Sequence, residues 1–223
     1  SQDSMTETVI ENQKIGTGGK LYINGRSIFP GAAAAINNVS WVSVDNRYGY
    51  YFPQEETLRV RRSGAYAELW KEHGIKPQNA RYAYVLLPNR DRSAVQAYTE
   101  DPKIRIVKNE ETVQAVKNEE SNVCGMVFYK GGASAEGVFA NDPCIVMLEE
   151  TPDVCNLTVA APDHKTKSVT LRLQRTGLTP VRAETGIKVW EEDGSTCITV
   201  DTGAQDGKSH HLTLQKPASA RLR

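Results

Sequence analysis

An all-β fold, with a large antiparallel sandwich portion first and a smaller β-sandwich after it, is what the sequence predicts. Three observations lead there. Apolar and polar residues alternate with period two from end to end, the pattern of strands with one packed and one wetted face. Turn residues interrupt that alternation at short intervals, and only one segment carries a helical pattern.

The elements follow in order. TETVIENQKI already reads as a strand near the start of the chain. LYINGRSI sets Asn24-Gly25 between two apolar triplets, and both turn residues tolerate positive φ, so a tight hairpin is expected. NVSWVSV (38 to 44), TLRVRR (57 to 62) and ARYAYVLLP (80 to 88) are the next strands. PNRDRSAVQAYTEDP then breaks the period. Asn89 or Asp91 can cap a two-turn helix with Ala94, Val95 and Tyr98 on its apolar side, and Pro102 ends it. Alternation resumes in KIRIV (103 to 107), TVQAV (112 to 116), VCGMVFY (123 to 129) and CIVML (144 to 148). It continues in NLTVA (156 to 160), SVTLRLQ (168 to 174), TCITV (196 to 200) and HHLTLQ (210 to 215). Residues 131 to 153 are rich in turns, and all nine tyrosines lie at or before Tyr129. A boundary is therefore expected there, giving domains 1–150 and 151–223.

Composition narrows the function. A chain of 223 residues with 39% apolar residues can bury a sizeable core. Lys plus Arg and Asp plus Glu both number 27, so net charge recruits neither nucleic acid nor an anionic membrane. No run reaches the roughly 20 apolar residues of a membrane span. Four cysteines, Cys124, Cys144, Cys155 and Cys197, are too dispersed for a zinc knuckle and read as small buried residues. The motifs of serine hydrolases, P-loop proteins and zinc proteases are absent, and no cofactor or metal is expected. DTGAQDGKS has part of the look of a calcium loop without its spacing or final glutamate. His73 and His164 are expected in polar loops, KEHG and PDHK, while His210 and His211 point to opposite faces of the last strand.

The arginine cluster is the best candidate site. In TLRVRR, Leu58, Val60 and Arg62 share one side of the strand, and Arg59 and Arg61 the other. Guanidinium groups hold carboxylates in a bidentate way, so a cation at the rim of this sheet suits an acidic ligand.

Longer stretches resemble a known family. NVSWVSVDNRYGYYFP, RRSGAY, HGIKPQNARYAYVLLPN and KIRIVKNEETVQAV, followed by FANDPCIVMLEE and NLTVAAPDHKTKSVTLRL, are similar to the C-terminal half of secreted bacterial polysaccharide lyases. The family is polysaccharide lyase family 8, which includes hyaluronate, chondroitin AC and xanthan lyases, and the resemblance covers essentially the whole chain. In one place it departs: where the family often has Trp after Arg-x-Gly, this chain has Tyr66.

The resemblance implies a β super-sandwich portion and a small C-terminal sandwich that support and line the cleft of a lyase. Such an enzyme cleaves a uronate-containing polysaccharide such as xanthan, hyaluronan or chondroitin by β-elimination. The catalytic residues belong to an N-terminal α/α toroid, so none is expected in this chain, which alone should be inactive. The toroid and an acidic polysaccharide are the implied partners, the location is extracellular, and Arg61, Arg62 and Tyr66 are the implied substrate contacts. The other reading is a non-catalytic module that binds carbohydrate or braces its neighbours.

Overall fold

The computed structural model describes residues 4–163, 165–203 and 207–218, nearly all of whose regular structure is strand. It divides into two compact units, Ser1–Lys103 and Ile104–Arg223. His164 and residues 204–206 of the calcium-like segment lie outside the described residues.

The first unit is one antiparallel sheet. Its strands are β1 (Met5–Lys14), β2 (Leu21–Ile23), β3 (Arg26–Ser27), β4 (Ala34–Val44), β5 (Tyr48–Ser63), β6 (Tyr66–Ile75) and β7 (Val85–Pro88). They run in the order β1-β6-β5-β4-β2-β3, with β7 beside the first part of β5. Asn24 and Gly25, at φ 46° and 81°, close the expected hairpin between β2 and β3. Alternation becomes burial: Tyr50, Phe52, Leu58 and Val60 of β5 join Leu21, Val42, Val44, Ala67 and Leu69 in one core.

Helix α1 (Arg92–Glu100) starts where the sequence placed a cap. Asp91 Oδ1 accepts from the Ala94 N–H at 2.8 Å, and Asp101, just before Pro102, closes the other end. Val95, its buried residue, lies over Gly49 of β5, where a Cβ would stand 2.2 Å from Val95 Cγ2. Only glycine at position 49 admits the helix at this height.

Two local expectations change. KEHG belongs to β6, not to a loop, and His73 Nε2 shares a hydrogen bond of 2.8 Å with Thr8 Oγ1. Pairing with β1 along this stretch, beyond where β5 leaves off at Trp70, lets the ladder absorb a polar run whose alternation is hard to see in sequence. The strand expected over residues 80 to 88 begins only at Val85. Before it, the Tyr82 and Tyr84 rings stack at 6.4 Å, and Tyr84 lies against the core.

The second unit is a true two-sheet sandwich. One sheet holds β8 (Ile104–Asn109), β9 (Val113–Asn118), β10 (Val123–Phe128), β13 (Cys144–Glu150), β14 (Val154–Ala160), β16 (Thr179–Ala183) and β19 (His210–Gln215), in the order β16-β19-β14-β13-β10-β9-β8. The other holds β11 (Ala133–Ala135), β12 (Val138–Ala140), β15 (Ser168–Leu173), β17 (Ile187–Glu192) and β18 (Ser195–Asp201). Both sheets contribute to a single core that includes Met126, Phe128, Leu148, Leu157, Leu171, Leu173, Ile198 and Leu214.

The expected boundary at residue 150 falls inside this sandwich. β13 and β14 on either side of it pair without interruption from Ile145↔Ala160 to Glu150↔Cys155, so the turn there is a hairpin. All four cysteines are free and buried, and burial pushes the Cys144 thiol up to about 12.

Candidate functional site

The expected site residues sit on the hairpin that β5 and β6 form. Register pairs Arg59 with Trp70, Arg61 with Glu68, Arg62 with Ala67 and Ser63 with Tyr66. Successive residues of a strand alternate between faces, so Arg61, Tyr66, Glu68 and Trp70 share the outer face. Arg62 turns the other way, in line with Leu58 and Val60.

That turn decides what Arg62 does. It is 2% exposed, and its guanidinium donates to the carbonyls of Gly16 at 2.9 Å, Thr17 at 3.3 Å, Gly19 at 3.1 Å and to that of Gly64. The Arg62 carbonyl in turn accepts from Gly31 N–H at 2.9 Å. Arg62 therefore ties three loops together, and its donors are committed to backbone. The expectation that it meets a substrate carboxylate is corrected: a guanidinium this deeply buried presents no cation to a polymer. The GTGGK turn is shaped for this latch, since a Cβ at Gly19 would lie 2.2 Å from the Ile15 carbonyl oxygen.

Arg61 and Tyr66 do come together. Tyr66 is 46% exposed, and Arg61 donates from Nε to Glu68 at 2.6 Å while its outer edge faces solvent. Beside them opens a groove of about 310 Å³ lined by Glu7, Val9, Glu11, Arg61, Glu68 and Trp70. Sequence reasoning missed Trp70, because β6 was not recognised as a strand; the inward pair Ala67 and Leu69 was the signal that would have revealed it, while Val9, on a strand that was recognised, reaches the groove only through the pairing of β1 with β6.

The electrostatics of the groove are mixed. Three carboxylates stand against Arg61, although Glu11 is engaged, accepting from the Tyr50 hydroxyl at 2.6 Å. Burial, reinforced by Glu11, pushes that phenol far above its ordinary range and keeps it a neutral donor. Among the described residues no group of three or more His, Cys, Asp or Glu side chains is placed to hold a metal ion. The face offers an aromatic plane and a half-exposed guanidinium, which suits sugar binding and does not assemble an acid-base pair.

Residues 105–170 match the family model described as polysaccharide lyase family 8, C-terminal beta-sandwich domain, which begins beside the boundary between the two units. Xanthan lyase of Bacillus sp. (strain GL1) is 29% identical over 243 residues, covering 94% of this chain and 26% of that protein. Hyaluronate lyase HylB of Enterococcus faecalis is 26% identical over 188 residues, covering 75% of this chain and 18% of that protein. The chain is similar to members of polysaccharide lyase family 8, and the match to the family's own model lies in residues 105–170.

Solved structures agree in fold. Paenibacillus xanthan lyase superposes with a TM-score of 0.92 at 24% identity, covering 98% of this chain and 24% of that one. The chondroitin AC lyase of Streptomyces coelicolor, solved with chondroitin sulphate, gives 0.75 at 17% identity over 96% of this chain and 29% of that one. The chain thus spans about a quarter of the length of the xanthan lyases that it matches, and its residues 105–170 are similar to the family's C-terminal β-sandwich domain.

Proposed function

We propose that this chain is the β portion of a secreted lyase that cleaves a uronate-containing polysaccharide such as xanthan, hyaluronan or chondroitin by β-elimination. The observation that carries this reading is similarity over 94%, 75% and 59% of the chain to a xanthan lyase, a hyaluronate lyase and a chondroitinase, whose polysaccharides all bear carboxylates. An N-terminal α/α toroid supplies the proton-transfer groups in this reading, and the β units support and line the cleft. The chain alone is then inactive.

Its local part is positioning. Tyr66 offers a ring face to a sugar, and Arg61 shares its guanidinium between Glu68 and a substrate carboxylate. Contacts of this kind hold a polymer in register without donating or removing a proton, so they act on binding more than on the chemical step.

Kinetics of the longer enzyme test this. Arg61→Ala and Tyr66→Ala are each expected to raise KM for the acidic polymer about three- to tenfold, on the order of 1 kcal/mol of binding, with kcat little changed. Release of unsaturated sugars is followed by ultraviolet absorbance. Unchanged kinetics on xanthan, hyaluronan and chondroitin would remove both residues from the site, and unsaturated products from residues 1–223 alone would overturn the division of labour.

A further inference from the structure

A second polar groove lies on the outer face of the C-terminal sandwich, well away in sequence from the arginine cluster. Four strands build it: β13, β14, β19 and the edge strand β16. Register lines up two rows of outward side chains. Glu149 faces Asn156, Asn156 faces Thr213, and Thr213 faces Arg182; beside them Thr158 faces His211. The inward neighbours Leu148, Leu157 and Leu212 are buried in the core, which fixes the facing of both rows.

The groove encloses about 330 Å³ and is lined mainly by hydrogen-bonding groups. Neighbouring strands are about 4.8 Å apart, so Glu149 and Arg182 stand roughly 14 Å from each other across three spacings, the length of a short oligosaccharide. Asn156 Nδ2 donates to Glu149 Oε2 at 3.2 Å, and Thr158 Oγ1 shares a hydrogen bond of 3.1 Å with His211 Nδ1. Glu184 is drawn aside, 3.4 Å from Lys208 Nζ and 3.6 Å from His210 Nδ1.

Arg182 is different from every arginine in the expected site. Arg59 and Arg61 are paired with glutamates and Arg62 is spent on carbonyls. Arg182 is exposed, and its side chain holds no ion pair or hydrogen bond among the described residues. A β-bulge between Pro180 and Arg182 sets it opposite Thr213 and at the end of the row. Bulges commonly re-aim a side chain at a functional edge.

We propose that this groove is a binding subsite for a carboxylated sugar residue of the polysaccharide. Arg182 takes the uronate carboxylate in a bidentate pair, and Asn156, Thr158, Thr213 and His211 receive the ring hydroxyls. The identity of the sugar class rests on the reading of the chain as part of an acidic-polysaccharide lyase. The subsite itself is non-catalytic and increases residence of the polymer on the enzyme.

Binding to the 223-residue chain tests it. The probes are a glucuronate-bearing hyaluronan tetrasaccharide and its carboxyl-reduced counterpart, titrated while backbone amide signals are followed by NMR. Expected are shifts centred on Asn156, Arg182 and Thr213, at least tenfold weaker binding by Arg182→Ala, partial recovery by Arg182→Lys, and little binding of the reduced sugar. Equal binding by Arg182→Ala, equal binding of the reduced sugar, or shifts confined to residues 1–103 would overturn the proposal. Activity assays separate the two readings: in the longer enzyme Arg182→Ala should keep its turnover on short oligosaccharides and lose affinity for polymer. A longer enzyme that yields no unsaturated product, while the tetrasaccharide still binds at Arg182, would sink the lyase reading and leave this site standing.

Discussion

Two arginines adjacent in sequence have opposite fates, and the reason is alternation plus closure. Arg61 points outward to Glu68 and water; Arg62 points inward and is enclosed by the turns at 16–19 and 63–64. Replacing Arg62 with methionine keeps the buried stem and removes donors from four carbonyls. Hydrogen bonds from a charged group to buried acceptors are each worth more than neutral ones, so a loss of about 2–4 kcal/mol is expected. A shift in the urea midpoint of the first unit reads it, and a change below about 1 kcal/mol would mean that the loops do not depend on the latch. The sequence pattern correctly separated the faces of TLRVRR. It had no means of showing that a glycine turn some 45 residues upstream folds over Arg62, because hydrogen bonds to carbonyls leave no signature in residue type.

At the scale of elements, the helix shows how local signals and tertiary fit combine. Asp91, Val95 and Pro102 are legible as cap, apolar contact and stop, and the helix forms where they place it. Its seat is not legible, since Gly49 reads only as a glycine in an aromatic strand. Gly49→Ala is expected to cost about 1–3 kcal/mol through the clash with Val95. Combining it with Val95→Ala should recover part of that loss, and a non-additive thermal shift in the double variant is the check. Simple addition of the two single losses would show that the helix does not press on position 49. Strand β6 is the converse case: its polar residues hid its period, and the ladders on both sides supply its stability.

The second unit, taken as a whole, closes around one core and is further pinned by an ionic cluster. Glu150 at the end of β13 pairs with Arg175 and with Lys216 Nζ at 3.1 Å, linking the chain beyond β15 and β19 to the sheet. Burial alone would raise the Glu150 carboxyl, but Arg175 and Lys216 outweigh it and hold it below the ordinary value. A carboxyl lowered on folding contributes stability that is full above its unfolded value, about 4.3, and is lost as pH falls through the lower folded value. Glu150→Gln should therefore be less stable than the parent near neutrality and converge with it in acid. Parallel stability profiles across that range would dismiss the cluster as a source of acid sensitivity.

The sequence by itself determined the all-β class, most strand positions, the Asn24-Gly25 hairpin, the capped helix and the resemblance to polysaccharide lyases, because each depends on neighbours within a few residues or on contiguous motifs. Tertiary structure alone decided where the units divide, since β8, β9 and β10 pair onward into the sheet that contains β13 and β14. It also decided which guanidinium groups are free. That depends on what closes around each arginine, and the partners of Arg62 and the strands beside Arg182 come from distant parts of the chain.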